Sequence, residues 1–231
     1  METLVERICR KYSSWKIAPA FELMTYAMTC DEYSLDRIGA DELQTGLCEY
    51  MDSSASRSRA LSEALGRTKE PPMADVFTEA TNMLVDAMAR SPGLSDLNIK
   101  VFSEKNLNLP QGGYLKPDVS IWKGDKLAAV VECKTSLGRR RQDWLMDYEK
   151  RAEDLSTLGL SSSALFLLVE TEQTWGGFPA SDARTSTTWF TLCPQGSWHG
   201  GGKTGESKLQ EKQYPNVVKK LRQAIEKTLF G

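Results

Sequence analysis

Two uninterrupted apolar runs, at residues 127–131 and 164–169, constrain the fold of this chain more than any other feature. Each run has the length of a strand and is far too short to cross a membrane, so each predicts a buried strand. The segment between them, residues 141–157, carries large apolar side chains at helical spacing. This succession predicts an α/β fold with one central mixed β-sheet flanked by helices.

The other predicted elements extend this layout on both sides. Turn signals at 110–113 and 124–125 divide residues 96–134 into a predicted three-stranded meander. The segment 91–93, Ser-Pro-Gly, ends the helix predicted before the meander. In chain order the remaining elements are a helix over 74–90, strands over 97–101, 118–122, 127–134 and 187–192, and a closing helix over 217–229.

The first part of the chain has a different character, and the pair Pro71-Pro72 ends it sharply. Residues 1–70 are polar overall, with apolar positions at helical spacing. We therefore expect an N-terminal helical lobe, residues 1–70, that packs on a core of residues 71–231 to form one compact unit. No residue of this lobe carries recognisable chemistry.

Composition and cysteine usage indicate the class of protein. With 40% hydrophobic and 26% charged residues, the chain has the ordinary mix of a soluble globular protein. Its five cysteines are odd in number and include no C-x-x-C pair, which argues against a disulfide framework or a structural zinc site. The N-terminus has charges where a secretion signal needs an apolar stretch, so we expect a cytoplasmic protein.

Charged side chains stand at the ends of two of the predicted strands. Because alternate residues of a strand share a face, Asp118 and Ser120 point the same way. In the next strand Glu132 and Lys134 share a face, and the side chain of Cys133 points away. If the strands pair as a hairpin, Asp118 faces Glu132 and Lys134 across a cleft. Two carboxylates and one ammonium then converge at the end of an apolar strand.

Such a group suits a hard divalent cation. Mg²⁺ keeps several waters beside one or two carboxylates, and the backbone carbonyl of Cys133 would add a further oxygen to those of Asp118 and Glu132. A bound metal polarises a phosphoryl oxygen and lowers the pKa of a bound water. Lys134 beside it would steady the attacking hydroxide or the phosphorus. The residues therefore predict phosphodiester hydrolysis.

The spacing of these residues is similar to a known motif. Pro117-Asp118, thirteen residues and then Glu132-Cys133-Lys134 resemble the signature of the PD-(D/E)XK nuclease superfamily, which includes many type II restriction endonucleases. The resemblance covers roughly residues 74–170 and implies a restriction-endonuclease-like core. It implies Asp118 and Glu132 as catalytic metal ligands and Lys134 as the catalytic lysine.

Many members of the superfamily add an acidic residue from the helix before the sheet. The resemblance therefore implies Glu79 as a further metal ligand, with Asp75 or Asp86 as substitutes. The alternative is that Glu79 is one more charge on a solvated helix face.

The segment that follows the motif is a candidate for DNA binding. Hydroxyl groups, backbone amides at a helix start and three consecutive arginines can all bind phosphate. A net charge of -2 does not favour a nucleic-acid binder, although a cleft can be basic on a neutral protein. The predicted DNA-binding residues are Lys116, Thr135, Ser136, Arg139, Arg140 and Arg141.

The resemblance implies a Mg²⁺-dependent DNA endonuclease, with Mn²⁺ as a substitute metal. A type II restriction endonuclease is the leading hypothesis, because the motif lies in a compact chain without helicase or methyltransferase signatures. Such an enzyme is expected to cut double-stranded DNA as a homodimer and to have a cognate DNA methyltransferase as its genetic partner. The alternatives are a PD-(D/E)XK nuclease of repair, phage recombination or modified DNA, and an inactive DNA-binding relative. The N-terminal lobe could then serve dimerisation or DNA contact.

Overall fold

The computed structural model describes residues 44–45, 47–48, 51, 73–89, 94, 97–135, 141–171, 188–194 and 213–231. In chain order they form helix α1 (Met73–Ala89), strands β1 (Ile99–Ser103), β2 (Leu107–Asn108), β3 (Tyr114–Leu115), β4 (Val119–Lys123) and β5 (Lys126–Lys134), helix α2 (Arg141–Ser156), strands β6 (Leu165–Thr171) and β7 (Trp189–Cys193), and helix α3 (Val217–Phe230). Each element predicted from residue 74 onward is present, with ends that differ by two residues or fewer from the prediction.

Five of the strands form one sheet in the order β1-β4-β5-β6-β7. The first three are antiparallel neighbours, which confirms the predicted meander. β5, β6 and β7 are parallel to one another, with α2 in the crossover from β5 to β6. The sheet is therefore mixed and flanked by helices, as the apolar runs predict.

The meander contains a small hairpin where the sequence pattern predicts only a turn. β2 and β3 pair antiparallel and form their own two-stranded sheet, in the part of the chain that connects β1 to β4. Gly112 and Gly113 close the hairpin with φ values of +94° and +81°, which residues with a Cβ rarely adopt. The hairpin brings Leu115 to the end of the sheet where Asp118 lies.

The two faces of the sheet are covered by different helices. Side chains of α1 and α3, including Phe77 and Leu221, belong to one buried cluster with Val131 and Cys133. On the other face, Leu167 and Val169 pack against Tyr148 of α2. The charged end of β5 lies on the face that α2 covers, because Glu132 pairs in register with Leu167 and Lys134 with Val169.

A few residues before α1 are also part of the core. Leu47, Cys48 and Met51 are helical and fully buried. The side chain of Gln44 accepts a hydrogen bond from the amide of Val218 at 3.0 Å, at the start of α3. The rest of the predicted N-terminal lobe lies outside the described residues, and the boundary between the lobe and the core stays a prediction.

None of the helices in the described part of the chain is both long enough and apolar enough to cross a membrane.

Two phenylalanines test where the core lies. Phe166 of β6 is 1% exposed and Phe230 at the end of α3 is 61% exposed. Phe166→Ala should lower the free energy of unfolding by about 3–5 kcal/mol, because it removes a large side chain from a closed site. Phe230→Ala should change it by less than about 0.5 kcal/mol. Urea unfolding of both variants measures the difference, and equal losses would contradict this packing.

Candidate active site

The pairing of β4 with β5 determines which residues meet at the end of the sheet. Val119 lies opposite Val131, so the preceding Asp118 lies opposite Glu132. One oxygen of Asp118, Oδ2, accepts a hydrogen bond of 2.7 Å from the backbone amide of Cys133. This side-chain bond lies just beyond the last backbone pair of β4 and β5, and it holds the carboxylate of Asp118 beside β5.

A β-bulge is needed for this register. The turn at 124–125 pairs Lys123 with Lys126, and that register alone would set Asp118 opposite Val131. The register shifts by one residue between Trp122 and Ile121, with Ala128 as the additional residue of β5. Because a slip of one residue exchanges the two faces of a strand, the bulge places Asp118 on the face of Glu132 instead of the face of Val131.

The ammonium group of Lys134 lies close to both carboxylates. Its Nζ lies 3.8 Å from Oδ2 of Asp118 and 4.0 Å from Oε2 of Glu132. The Glu132 side chain is 5% exposed, whereas those of Asp118 and Lys134 are 22% and 39% exposed. The three residues that the motif singles out are thus adjacent, with Glu132 buried and the other two open to solvent on one side.

Arg151 of α2 also belongs to this cluster, and the sequence analysis missed it. Its Nη1 donates a hydrogen bond to Oε1 of Glu132. A sequence signal exists: position 151 lies three residues after Tyr148 and four before Leu155, so it falls on the buried stripe of the helix. A charged residue on such a stripe needs a partner of opposite charge.

Burial dominates the electrostatics of Glu132. The pKa of its carboxyl is raised from 4.5 to about 7, chiefly because burial desolvates the charged form and also because the charge of Asp118 lies nearby. The positive charges of Arg151 and Lys134 act in the opposite direction but do not compensate fully. At neutral pH the protonated and ionised forms of this carboxyl are therefore similarly populated, and its cationic neighbours favour the ionised form.

Glu132, Lys134 and Arg151 line a cleft of about 400 Å³ between α2 and the sheet. This volume suits a group of nucleotide size. The charged lining residues are Glu132, Lys134, Asp147, Lys150, Arg151 and Asp154, and the others are Leu115, Tyr148 and Leu167.

The donor set fits Mg²⁺ better than a metal that needs a full set of protein ligands. Within the described ranges, no group of three or more His, Cys, Asp or Glu side chains could hold a metal ion. Asp118 and Glu132 supply two carboxylates. The carbonyl of Cys133 points toward the Asp118 side because the amide of the same residue does so. Mg²⁺ accepts such a set, since it keeps several waters.

The side chain of Cys133 takes no part in this donor set. Its thiol is buried on the face away from Glu132, and burial raises its pKa well above the usual range. A thiolate is therefore disfavoured there, and the backbone is the only part of Cys133 available to a metal.

The structure describes only some of the other predicted ligands and DNA-binding residues, and it tests the role of none of them. Lys116 forms an ion pair with Glu104, with 3.0 Å between Nζ and Oε1. The carbonyl of Thr135 accepts a hydrogen bond of 3.3 Å from the amide of Thr171. Asp86 is buried in α1. Ser136, Arg139 and Arg140 lie outside the described residues, as do the side chains of Asp75, Glu79 and Arg141, so their roles stay predictions.

No protein-family model matches the chain, and no curated protein is significantly similar to it.

The raised pKa of Glu132 predicts how stability depends on pH. Between pH 4.5 and about 7 the folded protein keeps a proton that the unfolded chain has released, so this group's contribution to stability falls as pH rises through that range. Glu132→Gln removes the ionisable group. In metal-free buffer the variant should match the wild type near pH 4.5 and be more stable at pH 8.5, by up to about 3 kcal/mol.

Chemical unfolding at the two pH values measures this effect. Glu149→Gln, on the exposed side of α2, is the matched control and should leave the pH dependence unchanged. A Glu132→Gln variant that is no more stable than the wild type at pH 8.5 would show that burial does not dominate at this carboxyl.

Proposed function

We propose that this protein is a Mg²⁺-dependent endonuclease that hydrolyses phosphodiester bonds of DNA, on a restriction-endonuclease-like core. The observation that carries the proposal is the convergence of Asp118 and Glu132 on Lys134, at 3.8 and 4.0 Å, beside a cleft that Glu132 and Lys134 line. Two carboxylates and an ammonium beside an open space are the parts that hydrolysis of a phosphodiester needs.

Each residue has a distinct role in this proposal. Asp118, Glu132 and the carbonyl of Cys133 hold the metal, with Glu79 of α1 as a further candidate ligand, and Mn²⁺ substitutes for Mg²⁺. When bound, the metal polarises the phosphoryl oxygen and acidifies a water. Lys134 is placed to orient the attacking water and to stabilise the charge that develops on the phosphate.

The DNA backbone would approach along the start of α2. Arg139, Arg140 and Arg141 lead into that helix, and Thr135 and Ser136 come directly after Lys134. Backbone phosphates bind such basic and hydroxyl groups without regard to sequence. Lys116 would have to exchange Glu104 for a phosphate.

Within the nucleases, we propose a cytoplasmic type II restriction endonuclease. The spacing of Asp118, Glu132 and Lys134, which resembles the signature of many type II restriction endonucleases, supports it. One site cuts one strand, so a homodimer on a palindromic duplex would cut both strands. A cognate DNA methyltransferase is then expected as the genetic partner.

Replacement of Lys134 tests the catalytic assignment. Lys134→Ala should lower the rate of Mg²⁺-dependent plasmid cleavage by roughly 100-fold or more, as loss of one group that stabilises the transition state does. DNA binding, measured by gel shift without metal, should change little. Lys126→Ala, at the exposed far end of the same strand, is the matched control and should cut at the wild-type rate. Equal rates for Lys134→Ala and the wild type would exclude this site.

The pattern of products tests the restriction hypothesis separately. Digestion of several plasmids of different sequence with Mg²⁺ should give discrete fragments whose ends share one short sequence. Cleavage that follows DNA structure or methylation would instead support the repair, recombination or modification-dependent alternative. No cleavage, together with no Mg²⁺ or Mn²⁺ binding by calorimetry even with DNA, would support the inactive DNA-binding relative.

A further inference from the structure

Both oxygens of the Glu132 carboxylate have a cation beside them. Nη1 of Arg151 donates to Oε1, and Nζ of Lys134 lies 4.0 Å from Oε2. Lys134 comes from the same strand, but Arg151 reaches Glu132 from the helix that covers the sheet. The Arg151 side chain is 32% exposed and lines the cleft, so its guanidinium faces both the buried carboxylate and the space where a substrate would lie.

The four adjacent side chains carry no net formal charge, because Asp118 and Glu132 balance Lys134 and Arg151. A divalent cation that enters this cluster leaves it with two surplus positive charges. Coulomb energy scales with the product of the charges, so each resident cation opposes a divalent metal twice as strongly as it opposes a proton at the same place. This repulsion between Arg151 and the metal acts whether or not Arg151 keeps its hydrogen bond to Oε1 of Glu132.

We propose that Arg151 is a positioning residue that occupies Glu132 as a resident counter-cation, and that it makes metal binding depend on a DNA phosphate. This inference rests on the proposed nuclease function. A phosphate in the cleft neutralises part of the surplus charge and offers the guanidinium a new partner in bidentate geometry. Metal and DNA then increase each other's affinity, as linkage requires. Without DNA, Arg151 keeps the metal affinity low.

The first test measures Mn²⁺ binding to the full-length protein without DNA, by calorimetry at one fixed pH. Arg151→Met removes the charge and keeps most of the apolar stem, and it should bind Mn²⁺ at least about tenfold more tightly than the wild type. Arg151→Lys restores a positive charge and should return the affinity to the wild-type value. Lys150→Met, one position away and in the same cleft, is the matched control and should shift it by less than about threefold.

Three results would overturn the inference. They are an Arg151→Met protein that binds Mn²⁺ no more tightly than the wild type, a Lys150→Met protein that gains as much, and an Arg151→Lys protein that behaves like Arg151→Met. Thermal unfolding confirms that each variant is folded. If Arg151→Met is destabilised, Arg151→Gln replaces it with the same expected gain.

The second test measures the coupling to DNA. A DNA duplex is added in the Lys134→Ala background, where cleavage is not expected. The duplex should tighten Mn²⁺ binding by a larger factor in Lys134→Ala than in Lys134→Ala/Arg151→Met. Equal factors would contradict the coupling.

One further variant separates the inference from the function on which it rests. Asp118→Asn, combined with Arg151→Met, should abolish the tight Mn²⁺ binding. If the binding survives, the metal is not at this site, and the proposed function fails together with the inference. If Mn²⁺ binding depends on Asp118 but not on Arg151, only the inference fails.

Discussion

The register between β4 and β5 controls everything else at the candidate site. The bulge at Ala128 moves the pairing by one residue, so that Asp118 lies opposite Glu132 and accepts a hydrogen bond from the amide of Cys133. Without that shift, Asp118 would lie opposite Val131, on the face that α1 and α3 bury. A bulge costs one unpaired residue in the ladder and re-aims the strand. In this chain the bulge therefore determines whether Asp118 faces an apolar residue or the carboxylate of Glu132.

The second constraint is the burial of Glu132 beneath α2. Desolvation disfavours the ionised carboxyl and raises its pKa to about 7, while Arg151 and Lys134 favour the charge. The same contacts have opposite consequences for stability and for function. A buried carboxylate lowers the stability of the folded protein at high pH, but it also provides a dry, fixed oxygen for a cation or a phosphate-bound metal. Burial of Glu132 is thus unfavourable for its ionised form, although the apolar side chains around it are well packed.

How far the sequence could predict this arrangement follows from the range of the interactions involved. The strands and helices depend on local sequence, because apolar period and turn residues determine them. Alternation along β5 also puts Glu132 and Lys134 on one face. The facing of Asp118 with Glu132 depends in addition on the bulge at Ala128. The contact of Arg151 with Glu132 depends instead on how α2 lies over the sheet, which no local pattern determines. β2 and β3 have two residues each, too few for a period to be visible. The bulge has no signal in Leu127, Ala128 and Ala129, which look like any apolar strand.

The location of the metal tests the account most directly. Crystals of the protein with a DNA oligonucleotide, soaked in Mn²⁺, would reveal the ion by its anomalous scattering. The account predicts a peak in contact with oxygens of both Asp118 and Glu132, next to the carbonyl of Cys133 and a DNA phosphate. A well-occupied Mn²⁺ ion bound elsewhere, with DNA in place and neither carboxylate coordinated, would contradict it.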